Sequence, residues 1–315
     1  MDYDVVGVDN INAYYDVNLK YARLMELGIQ KEKAEVFFEK NINIESNTSF
    51  TFIRMNIEDT ENLQLLFKEE SFDFVCNLAA QPGVRYSMEN PQAYINSNVK
   101  GFLNVLECCR HNHVSRLIYA SSSSVYGNSE SVPFKEKDQI DKPISLYAAT
   151  KKSNELMAHT YSHLYGMQTI GLRLFSVYGP WGRPDMAMYL FTKAIFDNEP
   201  IKVFNHGDLS RDFTYIDDIV RGIVSTITQN SNNNELYQLY NIGNNKPVQL
   251  LDFIETLEDI IGKKAKKVMM PLQDGDVNTT WADSSSIMEN FNYKSITSIK
   301  VGVRKFVEWY KTNNC

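Results

Sequence analysis

RLIYASSSSVYG, residues 116–127, is the stretch whose reading decides the fold. Its first half is an apolar, β-rich run, and its second half is a string of hydroxyls closed by a glycine. A strand apolar on both faces belongs inside a parallel sheet covered by helices. The hydroxyls would then stand at its carboxyl end, where such sheets take ligands. A Ser-rich turn without chemical duty is the alternative. Outward from it, four more runs share the texture: YDVVGVD (3–9), SFTFIRM (49–55), FDFVCNL (72–78) and QTIGLRL (168–174). Amphipathic stretches lie between them. One runs from Asn90, a favoured N-cap residue with Pro91 at the first helical position, to His113; another runs from Ser145 to Tyr165 and meets Gly166 as its C-cap. Strands and helices in alternation predict an α/β fold on a doubly wound parallel sheet.

After Leu174 the texture changes to FSVYGPWGRPDM (175–186), dense in aromatics, glycine and proline, with few periodic helices expected beyond it. We therefore expect a nucleotide-binding region over 1–174. A smaller substrate-binding region would cover 175–315, with some of its segments returning to the first. The 315 residues are 43% hydrophobic and 23% charged, ordinary globular composition rather than a disordered or fibrous chain. A net charge of −7, with only the short KKAKK run at 263–267 against it, argues against nucleic acid. No segment approaches the ~20 apolar residues that span a bilayer, and no secretory pattern is present, so a cytoplasmic location is expected. Cys76, Cys108, Cys109 and Cys315 form no C-x-x-C pair. His159 and His163 have helical metal-ligand spacing but no third ligand in view, so no metal is expected.

YAATK, Tyr147 to Lys151, carries the sharpest chemical signal. Residues four apart on a helix share a face, so phenol and ammonium project into one space. A phenol of pKa ~10 is a poor base at neutral pH, and a neighbouring cation lowers that value. The bland reading is a surface tyrosine beside a surface lysine. The upstream hydroxyls shift the balance, because a serine there can share a hydrogen bond with Tyr147 and a substrate hydroxyl.

SSSSVYG, YAATK, LRLFSVYGPWGRPDM and RDFTYIDDIV, in that order, resemble the extended short-chain dehydrogenase/reductase family, and within it the nucleotide-sugar 4-epimerases acting on UDP-glucuronate. The likeness runs from the first residues to FVEWY at 306–310. It implies a Rossmann-type domain carrying NAD, a carboxyl-terminal region holding a UDP-sugar, and a homodimer through helices near 91–112 and 145–165. It implies reversible oxidation at the sugar C4: Tyr147 removes the hydroxyl proton, a transient 4-keto sugar turns over, and hydride returns to its other face. UDP-glucuronate would become UDP-galacturonate. UDP-N-acetylglucosamine or UDP-glucose are alternative substrates, and an inactive UDP-sugar-binding homologue or partner subunit is the non-enzyme alternative.

The resemblance also implies roles. Ser122, Tyr147 and Lys151 are catalytic. Asp9, Asn10, Asn56, Ile57, Leu78, Ala79, Ala80, Asn98 and Phe175 accompany Tyr147 and Lys151 around NAD. Arg85, Ser87, Ser123, Ser124, Ser176, Arg183, Phe204, Arg211, Gln273 and Asp276 surround the UDP-sugar. Arg211 would grip the pyrophosphate, Asp276 the uridine ribose, and Arg183 the C6 carboxylate, unless Arg183 is simply paired with Asp185. Ser123 and Ser124 stand where related dehydratases and decarboxylases use carboxyl groups, and a hydroxyl cannot do that acid–base work at neutral pH. Asn56, Asn77 and Asp274 depart from the family's usual Asp, His and Pro. The largest departure is at the start. The family places a strand, a G-x-x-G-x-x-G loop and a helix before the acidic residue at 9, and no such triplet occurs here. This reads as roughly 25–30 residues missing from a ~30-residue unit, with a central strand and the pyrophosphate cradle among them. A chain without that unit is expected to bind NAD poorly and to leave two strand edges unpaired.

Overall fold

The structure, a computed structural model, describes residues 3–43, 50–273 and 275–314, so Asp274 and Cys315 lie outside the described residues. All five runs read from the sequence are strands. In chain order β1 is Val5–Asp9, β2 Lys40–Ile42, β3 Phe50–Arg54, β4 Phe74–Asn77, β5 Arg116–Ser122 and β6 Gln168–Leu174. The short β2 was not foreseen; it pairs antiparallel with β3. Helix Thr60–Glu70 joins β3 to β4, and helix Leu146–Tyr165 precedes β6. Between β4 and β5 the helical run 91–111 widens to a π-helix over Ile95–Gly101, a departure common near functional sites. Gly166 ends helix Leu146–Tyr165 in the left-handed region at φ 67°, where a side chain would be disfavoured.

Seven further strands follow: β7 Ser176–Tyr178, β8 Pro200–Val203, β9 Ser210–Arg211, β10 Phe213–Tyr215, β11 Tyr237–Ile242, β12 Val248–Gln249 and β13 Lys266–Met269. The expectation of few helices beyond 174 was wrong. Ala187–Phe196, Ile216–Thr228, Leu250–Ile261 and Ile299–Asn314 are all helical. In Ile216–Thr228 the apolar residues 216, 219, 220, 223 and 227 keep helical spacing. β11 returns to the first region and pairs parallel with β6.

The central sheet is in two parts, β1-β3-β2 and β11-β6-β5-β4. β5 is flanked on both sides by parallel partners and is buried at six of its seven residues. Among the described residues β1 pairs only with β3 and β4 only with β5, and neither strand contains a buried residue. Val5 is 50% and Phe74 38% exposed, although both runs have the composition of interior strands. Those two free edges flank the position to which the resemblance assigns a central strand. The halves nonetheless share one apolar cluster, in which Val6, Val8 and Ile53 meet Val75, Leu117 and Phe102. A second cluster, built on Phe213, Phe253, Val303 and Phe306, packs the carboxyl-terminal region.

Candidate active site

The hydroxyl-rich turn after β5 is a single 3-10 turn, Ser123–Tyr126. The Ser122 hydroxyl oxygen accepts hydrogen bonds from the Ser124 backbone N–H at 3.2 Å and from the Ser124 hydroxyl at 3.0 Å, which fixes its direction. Gly127 closes the turn at φ 56°, and a Cβ there would sit 2.7 Å from the Lys142 carbonyl oxygen. Tyr147 and Lys151 lie on helix Leu146–Tyr165, whose first turn is capped by Ser145 accepting from the Ala148 N–H at 3.1 Å. Helix and turn thus deliver Ser122, Tyr147 and Lys151 to one cleft of about 720 Å³.

The electrostatics differ from the simple picture of a cation on a phenol. Lys151 is 3% exposed, and its Nζ donates to the Ala120 carbonyl oxygen at 2.8 Å. Burial pushes its ammonium down to about 8. Burial also raises the Tyr147 phenol above its ordinary value, while hydrogen bonding with Ser122 and the charge of Arg183 pull it back. Lys151 anchors to β5, and the groups that favour the Tyr147 phenolate are Ser122 and Arg183.

A buried set missed in the sequence holds this arrangement. Glu155, one turn beyond Lys151, accepts from Arg173 of β6 through two bonds of 2.8 and 2.9 Å and from the Ser121 hydroxyl at 2.6 Å. Glu155 and Arg173 side chains are each 1% exposed. Burial works against the Glu155 carboxylate, yet Arg173 outweighs it and holds the group below its ordinary value. Arg173 also donates to the Tyr126 hydroxyl at 2.8 Å, so one guanidinium ties helix Leu146–Tyr165 to the serine turn. The available signal was an arginine inside the apolar run QTIGLRL, which requires a partner.

At the cofactor end, Asp9 Oδ1 accepts from the Ile11 N–H at 2.6 Å, and Asn10 Oδ1 from the Asn12 N–H at 3.0 Å. Lys20, also missed, brings Nζ to 4.0 Å from Asp9 and 3.0 Å from Asn12 Oδ1. Asp9, Asn10, Ile57, Leu78, Ala79, Ala80 and Phe175 line the cleft with Tyr147 and Lys151. Asn98 does not; it is buried, accepts from the Gln81 N–H at 2.7 Å and donates to Thr150 at 3.0 Å, fixing the 78–81 loop against helix Leu146–Tyr165. Asn56 faces a shallow recess with Glu58, Asp59, Asn96 and Lys100 instead. A dinucleotide's two ends fit these residues: a carboxylate for ribose hydroxyls at Asp9, and a phenol and ammonium for the nicotinamide side. The loops after β1 and β4 do not form a cradle for its middle. Residues 10–16 and 78–85, which follow β1 and β4, contain one glycine, Gly83, so they form no glycine-rich cradle for a pyrophosphate.

At the substrate end, Ser123, Ser124, Ser176, Arg183, Arg211 and Asp276 all line the cleft. Arg183 is paired with Asp185, through Nε at 2.9 Å and Nη2 at 2.8 Å, so the bland reading of this residue is present in the structure together with its place in the cleft. Arg211 Nη1 donates to the carbonyls of Ser210 at 2.9 Å and Asn278 at 3.1 Å. Its neighbour Asp212 is fully buried and accepts backbone N–H groups of Asn244, Asn245 and Ala282, which pins the strand carrying Arg211. Arg85, Phe204 and Asp276 form a second group at the rim. The Arg85 guanidinium lies 5.4 Å from the Phe204 ring centre and 3.4 Å from the Asp276 carboxylate. Gln273 carries a buried Oε1 without a partner among the described residues. Ser87 is buried and donates to the Val84 carbonyl at 2.5 Å, which makes it part of the loop's frame.

Comparison with known proteins gives a consistent result. Residues 2–243 match the model of the NAD dependent epimerase/dehydratase family. The chain is 50% identical to protein CapI of Staphylococcus aureus, covering 97% of this chain and 90% of that one. It is 44% identical to UDP-glucuronate 4-epimerase 2 of Arabidopsis thaliana, covering 97% of this chain and 70% of that one. Among solved structures, the UDP-glucuronic acid 4-epimerase of Bacillus cereus, in complex with UDP-glucuronic acid and NAD, superposes with a TM-score of 0.87 at 33% identity, over 98% of this chain and 91% of that chain. On the family match and these relatives, the chain belongs to the NAD dependent epimerase/dehydratase family.

Proposed function

We propose that the protein is an NAD-dependent 4-epimerase of a UDP-sugar and that its substrate is UDP-glucuronate, interconverted with UDP-galacturonate. The observation that carries this reading is the convergence of Ser122, Tyr147, Lys151 and Arg183 on one cleft. Bound NAD would supply reversible hydride acceptance at the sugar C4. Tyr147 takes the C4 hydroxyl proton and returns it, with Ser122 sharing the hydrogen bond and Arg183 favouring the phenolate. Lys151, anchored on Ala120, would hold the nicotinamide ribose. Arg211 takes the pyrophosphate, and Asp276 with Arg85 and Phe204 takes the uridine end. Serines at 123 and 124 leave the sugar C5 and C6 without the carboxyl groups that dehydration or decarboxylation needs.

Among the described residues no helix is long and apolar enough to cross a membrane. A cytoplasmic location, supply of sugars for surface polysaccharide, and a homodimer complete the proposal. For the dimer, exposed Leu103 on the 91–111 run and Leu156 and Leu164 on helix Leu146–Tyr165 offer apolar surface. A neutral UDP-hexose is the second substrate reading, favoured by the hold of Asp185 on Arg183. The test is incubation of the purified chain with NAD and UDP-glucuronate, followed by proton NMR of the sugar H4. Appearance of UDP-galacturonate supports the proposal. Conversion of UDP-glucose alone selects the second reading, and conversion of neither overturns both.

A further inference from the structure

We propose that Tyr14 and Arg23, which belong to the cofactor half of the chain, are positioning residues for Arg183 and thereby set the preference for a carboxylated sugar. This rests on the substrate reading just given. The loop that carries Arg183 contains an unusual backbone: Trp181 has φ 61°, a left-handed conformation that a bulky side chain avoids unless its surroundings impose it. The imposing group is Arg23 on helix Val17–Glu26. Its Nε and Nη2 both donate to the Trp181 carbonyl oxygen, at 3.0 and 2.6 Å, and its Nη1 donates to the Tyr15 hydroxyl at 2.7 Å. A fork on one carbonyl, two residues before Arg183, holds the loop's backbone from the other half of the chain.

Tyr14 holds the side chain. Its hydroxyl donates to Asp185 Oδ2 at 3.1 Å, the same oxygen that Arg183 Nη2 reaches at 2.8 Å. Asp185 therefore occupies the Nε/Nη2 edge of Arg183 in an orientation that Tyr14 fixes, and Arg183 Nη1 has no partner among the described residues. A guanidinium pinned along one edge offers its remaining donors in one direction, the arrangement a second carboxylate can use. Tyr14 is itself held: its ring lies 4.9 Å from Tyr86, and a Cβ at Gly83 would come within 2.6 Å of its hydroxyl. A neutral hexose has no C6 carboxylate for Arg183 to pair with, so the effect of this latch on binding is confined to sugars that carry one.

The experiment is titration calorimetry of UDP-glucuronate and UDP-glucose into the whole chain and into Tyr14→Phe, Arg23→Gln and Arg23→Lys, with thermal melts of each variant beside it. Steady-state rates give the KM-against-kcat split. Loss of one charge-assisted bond predicts about tenfold weaker binding of UDP-glucuronate, with UDP-glucose within about twofold; any change in kcat is shared by both sugars, because Arg183 also favours the Tyr147 phenolate. Arg23→Lys keeps the charge but lacks the fork, and is expected to group with Arg23→Gln. Tyr14→Phe removes only a hydroxyl and keeps the test open if an Arg23 variant melts early. Equal weakening on both sugars assigns the two residues to general stability and overturns the proposal, as does unchanged binding of both. A wild-type chain that binds the two sugars equally overturns the substrate reading first, and this inference with it.

Discussion

Lys151→Met separates the part proposed for this lysine in the chemistry from what it does to stability. A buried ammonium is destabilising, and the structure gives its size. Burial moves Lys151 from 10.5 to about 8, and at ~1.4 kcal/mol per unit this is a penalty of about 3 kcal/mol. The sign follows from proton counting. Between pH ~8 and ~10.5 the unfolded chain binds more protons at this site than the folded one, so stability rises with pH across that window. Below pH 8 the penalty is complete, and by pH 10.5 most of it is gone. Methionine binds no proton and carries no penalty, but it gives up the 2.8 Å bond to the Ala120 carbonyl, at about 1–3 kcal/mol. The variant at pH 7 is therefore expected to lie between equal stability and a gain of ~2 kcal/mol, despite losing activity. The discriminating quantity is the difference between variant and wild type followed with pH. It should move against the variant by about 2–3 kcal/mol between pH 7 and pH 10. Urea unfolding by circular dichroism at both pH values measures it, and comparing the two chains cancels titrations they share. A difference independent of pH would refute the reasoning, because Lys151 would then be equally protonated in folded and unfolded states.

Tyr147→Phe should cost at least ~100-fold in kcat while the Kd for the UDP-sugar changes little; near-normal turnover would remove Tyr147 from the role of base. Arg183→Leu should shift preference from UDP-glucuronate towards UDP-glucose, measured as the ratio of kcat/KM on the two, and equal losses on both would leave it with the loop and the Tyr147 phenolate alone. Glu155→Gln breaks a buried pair and should destabilise by ~3–5 kcal/mol in urea unfolding; a loss under ~1 kcal/mol would show that the Arg173 contact is not maintained. Because the folded Glu155 carboxyl lies below its ordinary 4.5, its contribution is present above that pH and is lost as pH falls through the folded value. Wild type and Glu155→Gln should therefore converge in stability as the solution is acidified.

Features carried by short-range periodicity were legible without coordinates. The apolar run at 116–122 announced a buried strand, and the one-turn spacing of Tyr147 and Lys151 put both on one helix face. Gly166 marked that helix's end, because a left-handed terminus favours glycine. The order of the motifs then indicated the family. What only the tertiary structure decided are pairings between residues far apart, since no local pattern encodes which distant group satisfies a buried donor. Lys151 turned out to rest on the carbonyl of Ala120, and Arg173 on Glu155. Tyr14 reaches Asp185 across 171 residues of chain. The sheet makes the same point. Two unpaired edges were expected from the sequence, but which strands carry them was not: among the described residues they fall on the runs at 5–9 and 74–77, because burial of a strand depends on neighbours that its own residues do not specify.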